Sequence, residues 1–402
     1  MAKKLSIADL QLKGQKVLMR VDFNVPLDKD GRILDDARIA AALPSIKYVL
    51  DQGGALILMS HLGRPKGPTP QLSLAPCAKR LSEMLGKPVL MAPDCIGNET
   101  ERLAKNLTPG QTLLLENLRF HRGEEEPDAN PSFARRLAGL GDLYINDAFG
   151  TAHRAHASTV EIARYFPGKA AAGFLMEKEI QFLGQALLHP TRPFYAIIGG
   201  AKISTKIGTL KALLHKVDGV FIGGGMAYTF FKAQGIPIGD SIHEDAFIDE
   251  AREILAESQK LGVKFLLPQD NVVVEHFSND APSRVVNSQQ GVLSGFQGVD
   301  IGPKTVHQYV AALQKAATVF WNGPMGVFEF SNFAAGTNAI AHALASLSAV
   351  TIVGGGESVA AVEAAHVADK MTHISTGGGA ALEYIEFGKL PGIEALSDAL
   401  VA

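Results

Sequence analysis

Short apolar runs that stop at glycine or at a polar cluster, each followed by a helix-forming run, recur along this chain. Lys16 to Val21, Ala55 to Met59, Thr112 to Leu115 and Asp142 to Ile145 are such runs in the first half. In the second half they are Phe194 to Ile198, Val220 to Ile222, Lys264 to Leu267, Thr318 to Trp321, Thr351 to Val353 and His373-Ile374. Continuous apolar runs of this length read as strands buried on both faces. Alternation with helices predicts an α/β fold, a parallel sheet flanked by helices on both faces.

The intervening helices have their own signals. Ser6-Ile7-Ala8-Asp9 reads as a capping box. Asp36-Ala37-Arg38-Ile39 opens a helix that Pro44 is expected to kink or interrupt. Leu74 to Leu85 is helical, with Gly86 as its stop. Ser204 to Lys216 puts Ile207, Leu210, Leu214 and Val217 on one face, and Ala380 to Phe387 is the last long helix. The alanine-rich stretch from Ala170 leads into a helical run ending near Leu188, with Pro190 and Pro193 beyond. This is the best domain boundary in the chain.

Chemistry concentrates at the strand ends, where open α/β sheets bind ligands. The first half carries Arg38, His61, Arg64, Arg119, His121, Arg122, His153, Arg154 and His156, most of them in loops. Singly these are ordinary surface cations. Guanidinium groups repeated at one sheet edge would make an anion site, because Arg bonds carboxylate and phosphate bidentately. Glu124-Glu125-Glu126 reads as a solvated loop. His153 and His156 lack the third ligand a zinc site needs. The second half carries four Gly-rich turns, beginning at Gly199, Gly223, Gly354 and Gly377. Glycine allows a sharp turn and close ligand approach, and the helix start beyond it favours an anion. Lys202 and Lys206 stand at a helix start, where the macrodipole disfavours cations unless an anion is bound.

Composition narrows the classes. A chain of 402 residues with 47% hydrophobic content suits two or three globular domains. A net charge of -3 gives no footprint for nucleic acid. Cys77 and Cys95 are the only cysteines and have no metal or disulfide spacing, which fits a cytoplasmic protein. No secretory leader or membrane-length apolar run is read. The Walker A pattern is missing, and Tyr228, Val359 and Leu382 fill the last place of would-be G-x-G-x-x-G runs. That argues against a standard P-loop ATPase and a nicotinamide oxidoreductase, and leaves phosphoryl transfer on another architecture.

Several long motifs resemble the phosphoglycerate kinase family. They are Arg20-Val21-Asp22-Phe23-Asn24-Val25-Pro26, Ser60-His61-Leu62-Gly63-Arg64-Pro65, Glu116-Asn117-Leu118-Arg119-Phe120-His121 and the Asn146 to His156 segment. Gly199-Gly200-Ala201-Lys202, the Trp321 to Glu329 segment and Ser375-Thr376-Gly377-Gly378-Gly379 complete the set, in family order from about residue 5 to the C-terminus.

The resemblance implies two Rossmann-like domains. Residues 1–172 would bind 3-phosphoglycerate, with a tail of about 388–402 packing on that domain. Residues 173–190 would form a connecting hinge helix, and 191–387 would bind nucleotide. It implies reversible transfer between 1,3-bisphosphoglycerate with MgADP and 3-phosphoglycerate with MgATP, by a cytoplasmic monomer without nucleic-acid or membrane partners. Asp22, Phe23, Asn24, Arg38, His61, Leu62, Gly63, Arg64, Arg119 and Arg154 match the acid-substrate positions. Gly200, Ala201, Lys202, Lys206, Gly224, Gly298, Val299, Asn322, Pro324, Glu329, Gly355, Gly356, Glu357 and Ser358 match nucleotide positions. Arg38, Lys202, Gly377 and Gly378 are the expected catalytic set, stabilising the phosphoryl group in flight. Glu357 stands where the family usually has Asp and is the expected Mg²⁺ contact, through the nucleotide phosphates. A non-catalytic nucleotide-binding scaffold on the same fold is the rival reading.

Overall fold

The computed structural model describes residues 3–399, without the side chains of residues 185–188. The first two residues of the expected N-terminal domain and the last three of the expected tail lie outside the described residues. The chain divides into two compact units: residues up to Gln181 together with those from Lys389 onward, and Phe182–Gly388.

In the first unit, β1 (Lys16–Arg20), β2 (Ala55–Met59), β3 (Val89–Met91), β4 (Thr112–Leu114), β5 (Leu143–Asn146) and β6 (Ala170–Ala172) form one sheet. Its order is β3-β4-β2-β1-β5-β6, and every pair is parallel. β2 is buried at every position, as its unbroken Ala-Leu-Ile-Leu-Met run requires. Val17, Met19, Leu56, Leu58 and Ile145 pack with Ile39, Ile46 and Val49 of the helix Ala37–Asp51 and Leu81 of the helix Ala75–Leu85. Each such side chain contributes about 1.5–3 kcal/mol when wholly buried. β1 pairs with β2 on one side and β5 on the other, and Arg20 lies opposite both Met59 and Asn146. The chain moves away from β1 in opposite directions there, which opens a crevice at the carboxyl ends of these strands.

The second unit contains β7 (Phe194–Ile198), β8 (Gly219–Ile222), β9 (Lys264–Leu266), β10 (Asp270–Val274), β11 (Ser283–Asn287), β12 (Gln297–Ile301), β13 (Thr318–Asn322), β14 (Val350–Gly354) and β15 (His373–Ile374). Six of these make a parallel sheet in the order β15-β14-β13-β7-β8-β9, with its reversal between β7 and β13. Three more form a small antiparallel sheet, β11-β10-β12. Trp321, Ile197, Val319 and Val353 anchor the core against Tyr309, Ile340 and Val362.

Three expectations need correction. Pro44 does not break its helix: Ala37–Asp51 is continuous. Pro44 and Ala40, whose carbonyl loses the missing N–H, are both exposed, so water can serve that carbonyl. Ala170–Ala172 is an edge strand instead of the start of the helical run. Its small residues admit the chain ends: Ser397 N–H donates to the Ala170 carbonyl at 2.9 Å, and Ala172 N–H to the Leu5 carbonyl at 2.8 Å. Thirdly, Glu124 is no solvated loop residue; it is wholly buried in the short helix Arg122–Glu125.

The C-terminal residues are tied into the first unit. Gly392 N–H donates to the Ala152 carbonyl at 2.8 Å, and Lys4 Nζ reaches the Glu394 and Leu396 carbonyls. Among the described residues no helix is long and apolar enough to cross a membrane.

Candidate active site

The first unit gathers its predicted residues at the β1, β2, β4 and β5 ends. Asp22 Oδ2 accepts from Arg38 Nη1 at 2.6 Å, so a carboxylate aims that half-exposed guanidinium. Asn24 Oδ1 accepts from Gly63 N–H at 2.8 Å, and Ser60 Oγ from Phe23 N–H at 2.8 Å, locking the β1 and β2 loops together. Buried Asn117 donates to the Leu62 and Leu72 carbonyls at 2.8 and 2.9 Å and accepts from Arg119 N–H at 3.1 Å. Arg119 Nη1 then donates to the Gly63 carbonyl at 2.7 Å, while its Nε lies 3.2 Å from Glu125 Oε1. Arg64 and Arg154 extend into solvent. Arg154 lies near enough to Arg119 and His156 to act on both electrostatically.

Burial, reinforced by the surrounding cations, keeps the histidines of the basin neutral. His61 has its pKa well below the usual 6.5, first through burial and then through Arg20, Arg119, Arg38 and His156. His156 is pushed down to about 3 by burial and then by Arg20, Arg119, Arg154 and His153. Neither is built to carry charge at neutral pH. His121 is committed elsewhere: its Nε2 is 2.7 Å from Asp94 Oδ1, and its ring stacks on Phe133. Asp94, Cys95 and His121 are the one group of potential metal ligands gathered among the described residues. The 2.7 Å contact is a hydrogen bond, closer than the roughly 3.3 Å between two ligands at about 2 Å from one tetrahedral zinc.

Beneath the basin lie groups that the sequence reading placed elsewhere or did not single out. Arg20 is wholly buried beside Glu124, which accepts from Ser158 through both carboxylate oxygens. The available signal was an arginine inside an apolar strand, which demands buried partners.

In the second unit a pocket of about 300 Å³ opens at the β7, β8, β13 and β14 ends. Of the residues expected to hold nucleotide, Gly200, Ala201, Gly224, Gly298, Val299, Pro324, Glu329 and Glu357 line it. Tyr228, Ile242, Asn271, Phe277 and Asp300 line it too, and nothing in their local sequence marks them. Two come from the antiparallel sheet, β10 and β12. Gly323 has φ +97, and a side chain there would meet the Gly199 carbonyl; only glycine lets the β7 and β13 turns cross so closely. At Gly298 the Tyr228 hydroxyl occupies the place of a side chain.

The remaining predicted residues do not line this pocket. Lys206 Nζ donates to Asn322 Oδ1, and Asn322 Nδ2 donates to the Gly354 carbonyl at 2.7 Å, joining β13 to β14. Burial pushes Lys206 down to about 8, with Glu357 pulling weakly the other way. Lys202 is exposed, just before the turn Ile203–Thr205. Gly355 and Gly356 start the helix Gly356–Ala364, as expected for an anion-facing turn. Ser358 faces inward instead: its buried Oγ accepts from Gly323 N–H at 2.5 Å, so it supports the turn. Gly377 N–H donates to Ser375 Oγ at 3.2 Å, and Gly378 precedes the helix Gly379–Phe387. Exposed Glu357 points its carboxylate toward the Gly200 turn, with Oε2 3.9 Å from where a Gly200 side chain would begin. An exposed carboxylate lining this pocket is an oxygen donor that fits Mg²⁺.

Comparison with known proteins identifies the family. The pattern described as phosphoglycerate kinase matches residues 7–389. The phosphoglycerate kinase of Koribacter versatilis is 56% identical over 98% of this chain and 99% of its own. The cytosolic phosphoglycerate kinase of Triticum aestivum is 53% identical over 99% of this chain and 100% of its own. Among solved structures, the Coxiella burnetii phosphoglycerate kinase superposes with a TM-score of 0.87 at 41% identity, covering 98% of each chain. The Pyrococcus horikoshii enzyme follows at 0.84 and 32%, also over 98% of each. Motifs, fold and end-to-end similarity converge, and the chain belongs to the phosphoglycerate kinase family.

Proposed function

We propose that this chain moves a phosphoryl group reversibly between 1,3-bisphosphoglycerate with ADP and 3-phosphoglycerate with ATP, as a kinase of glycolysis and gluconeogenesis. The observation that carries the reading is the end-to-end family match. The cationic basin and the glycine-walled pocket at two sheet edges support it.

The acceptor in the ATP direction is a carboxylate, which has no proton to lose. No general base is therefore needed, and the two neutral histidines of the basin fit that economy. What the reaction does need is charge neutralised on the group in flight. In this reading Asp22, Asn24, His61, Arg64, Arg119 and Arg154 hold the acid substrate, while Gly200, Gly224, Gly298, Val299, Pro324 and Glu329 hold the nucleotide. Arg38, Lys202 and the helix start at Gly377-Gly378 surround the phosphoryl group. Glu357 holds Mg²⁺ by way of the nucleotide phosphates; the ion supplies charge neutralisation. The two half-sites belong to separate units, so we propose a closure that brings reacting atoms within about 3–3.5 Å and excludes water. A cytoplasmic monomer with only small-molecule partners completes the proposal.

The test is turnover of 3-phosphoglycerate with MgATP by purified protein, followed through a coupled assay, with Arg38→Ala as the contamination control. Turnover lost in the variant is expected. Binding of both substrates without turnover in the wild type would favour a scaffold.

A further inference from the structure

All three guanidinium nitrogens of Arg20 are engaged. Nε donates to Ser158 Oγ at 2.8 Å, Nη1 to the Val21 carbonyl at 2.5 Å, and Nη2 lies 3.1 Å from His61 Nδ1. Ser158 has a single hydroxyl proton. Since its oxygen accepts from Arg20, that proton goes to Glu124 Oε1, 2.6 Å away. Ser158 N–H fills Glu124 Oε2 at 3.0 Å. The Tyr144 hydroxyl donates to the Ser158 carbonyl at 2.8 Å, which fixes the serine backbone. Arg20, Glu124 and Ser158 are all wholly buried, so the direction of each of these hydrogen bonds is set by its neighbour.

The direction of the last link follows. A guanidinium has donors only, so the His61 nitrogen that faces it must accept. The imidazole proton then sits on Nε2, which the hydrogen bonds among the described residues leave unpaired. We infer that Arg20, braced by Glu124 through Ser158, holds His61 as the neutral Nε2–H tautomer and so presents a fixed hydrogen-bond donor to the acid substrate. Arg20 is a positioning residue in this scheme. The substrate part rests on the function proposed above; the tautomer part does not.

A protonated His61 would set an N–H against a guanidinium. The other groups acting on it are Arg119, Arg38 and His156, with Glu124 behind Arg20; the three cationic or basic groups oppose its protonation as Arg20 does. His61 therefore offers the same donor across about pH 5 to 8, where a free imidazole would change charge.

Long-range ¹⁵N–¹H correlation spectra of histidine-labelled protein, assigned with His61→Gln, read the tautomer directly. The expected wild-type result is a neutral Nε2–H ring throughout about pH 5 to 8. An Nδ1–H ring, or a ring that takes up a proton near 6.5, overturns the inference. In Arg20→Met, His61 is expected to mix tautomers and to titrate, with the KM for 3-phosphoglycerate becoming pH-dependent while the KM for nucleotide holds. Should that variant fail to fold, the wild-type spectrum still decides the tautomer. Adding 3-phosphoglycerate should shift the Nε2 resonance; turnover without any shift removes the donor role. Absence of both turnover and binding would instead sink the functional reading and leave the tautomer result standing.

Discussion

As an expected nucleotide contact, Lys206 would give nucleotide binding a pH signature. Its ammonium is largely withdrawn from water and held by a neutral acceptor, Asn322 Oδ1, so burial brings it to about 8 from an ordinary 10.5. A bound polyphosphate would restore the charged form's preference. If it restores the ordinary value, the linkage spans about 2.5 units, or about 3.4 kcal/mol. The sign is fixed: the free protein loses this charge as pH rises through about 8, so nucleotide affinity falls above that point, approaching tenfold per unit. Below about pH 7 the lysine is mostly charged in both states and the effect vanishes. Calorimetric titration with MgADP from about pH 7 to 9.5 measures it. Lys206→Arg keeps its charge throughout and should flatten the profile; Lys206→Met should be weak and flat. A wild-type affinity constant over that range, or an equal fall in Lys206→Met, refutes the reasoning.

Other expectations are simpler. Arg38→Ala should lower kcat by roughly 10³–10⁵ with nucleotide affinity little changed, by analogy with arginine fingers, and steady-state kinetics with both substrates checks this. Glu357→Asp should retain activity but change the Mg²⁺/Mn²⁺ activity ratio, because a shorter carboxylate relocates a ligand for an ion that tolerates little distortion; an unchanged ratio removes Glu357 from metal contact. Gly173→Ala would drive a methyl into the Asp147 carboxylate, which is pinned by Leu175 and Met176 N–H groups at 2.9 and 3.2 Å. A loss of about 1–3 kcal/mol in urea unfolding is expected, and wild-type stability would show that the site relaxes freely.

The Ala170–Ala172 strand and the β10–β12 sheet mark where local reading fails. Three alanines carry helix propensity, and they became a strand because the residues around Leu5 and Ser397 supply hydrogen-bond partners along its edge. The β11 residues are largely exposed, so no continuous apolar run advertises them. By contrast β1, β2, β7 and β13 were legible, because strands covered on both faces must be apolar throughout and must stop where a ligand-bearing turn begins.

The same division runs through the sites. Residues carried by the loop after a buried strand could be placed at the carboxyl edge of a sheet from sequence alone: Asp22 and Asn24, His61, Arg119, and the glycines near Gly200 and Gly355. The fold class and the family followed from them, since strand grammar and long motifs are local properties. Only the tertiary structure decided that Glu124 is buried, that Ser358 turns inward, and that Tyr228 and Asp300 reach the pocket. Whether a charge is solvated or paired depends on what packs over it. For Glu124 the answer comes from Arg20 on a strand more than a hundred residues earlier, a relation that no local pattern encodes.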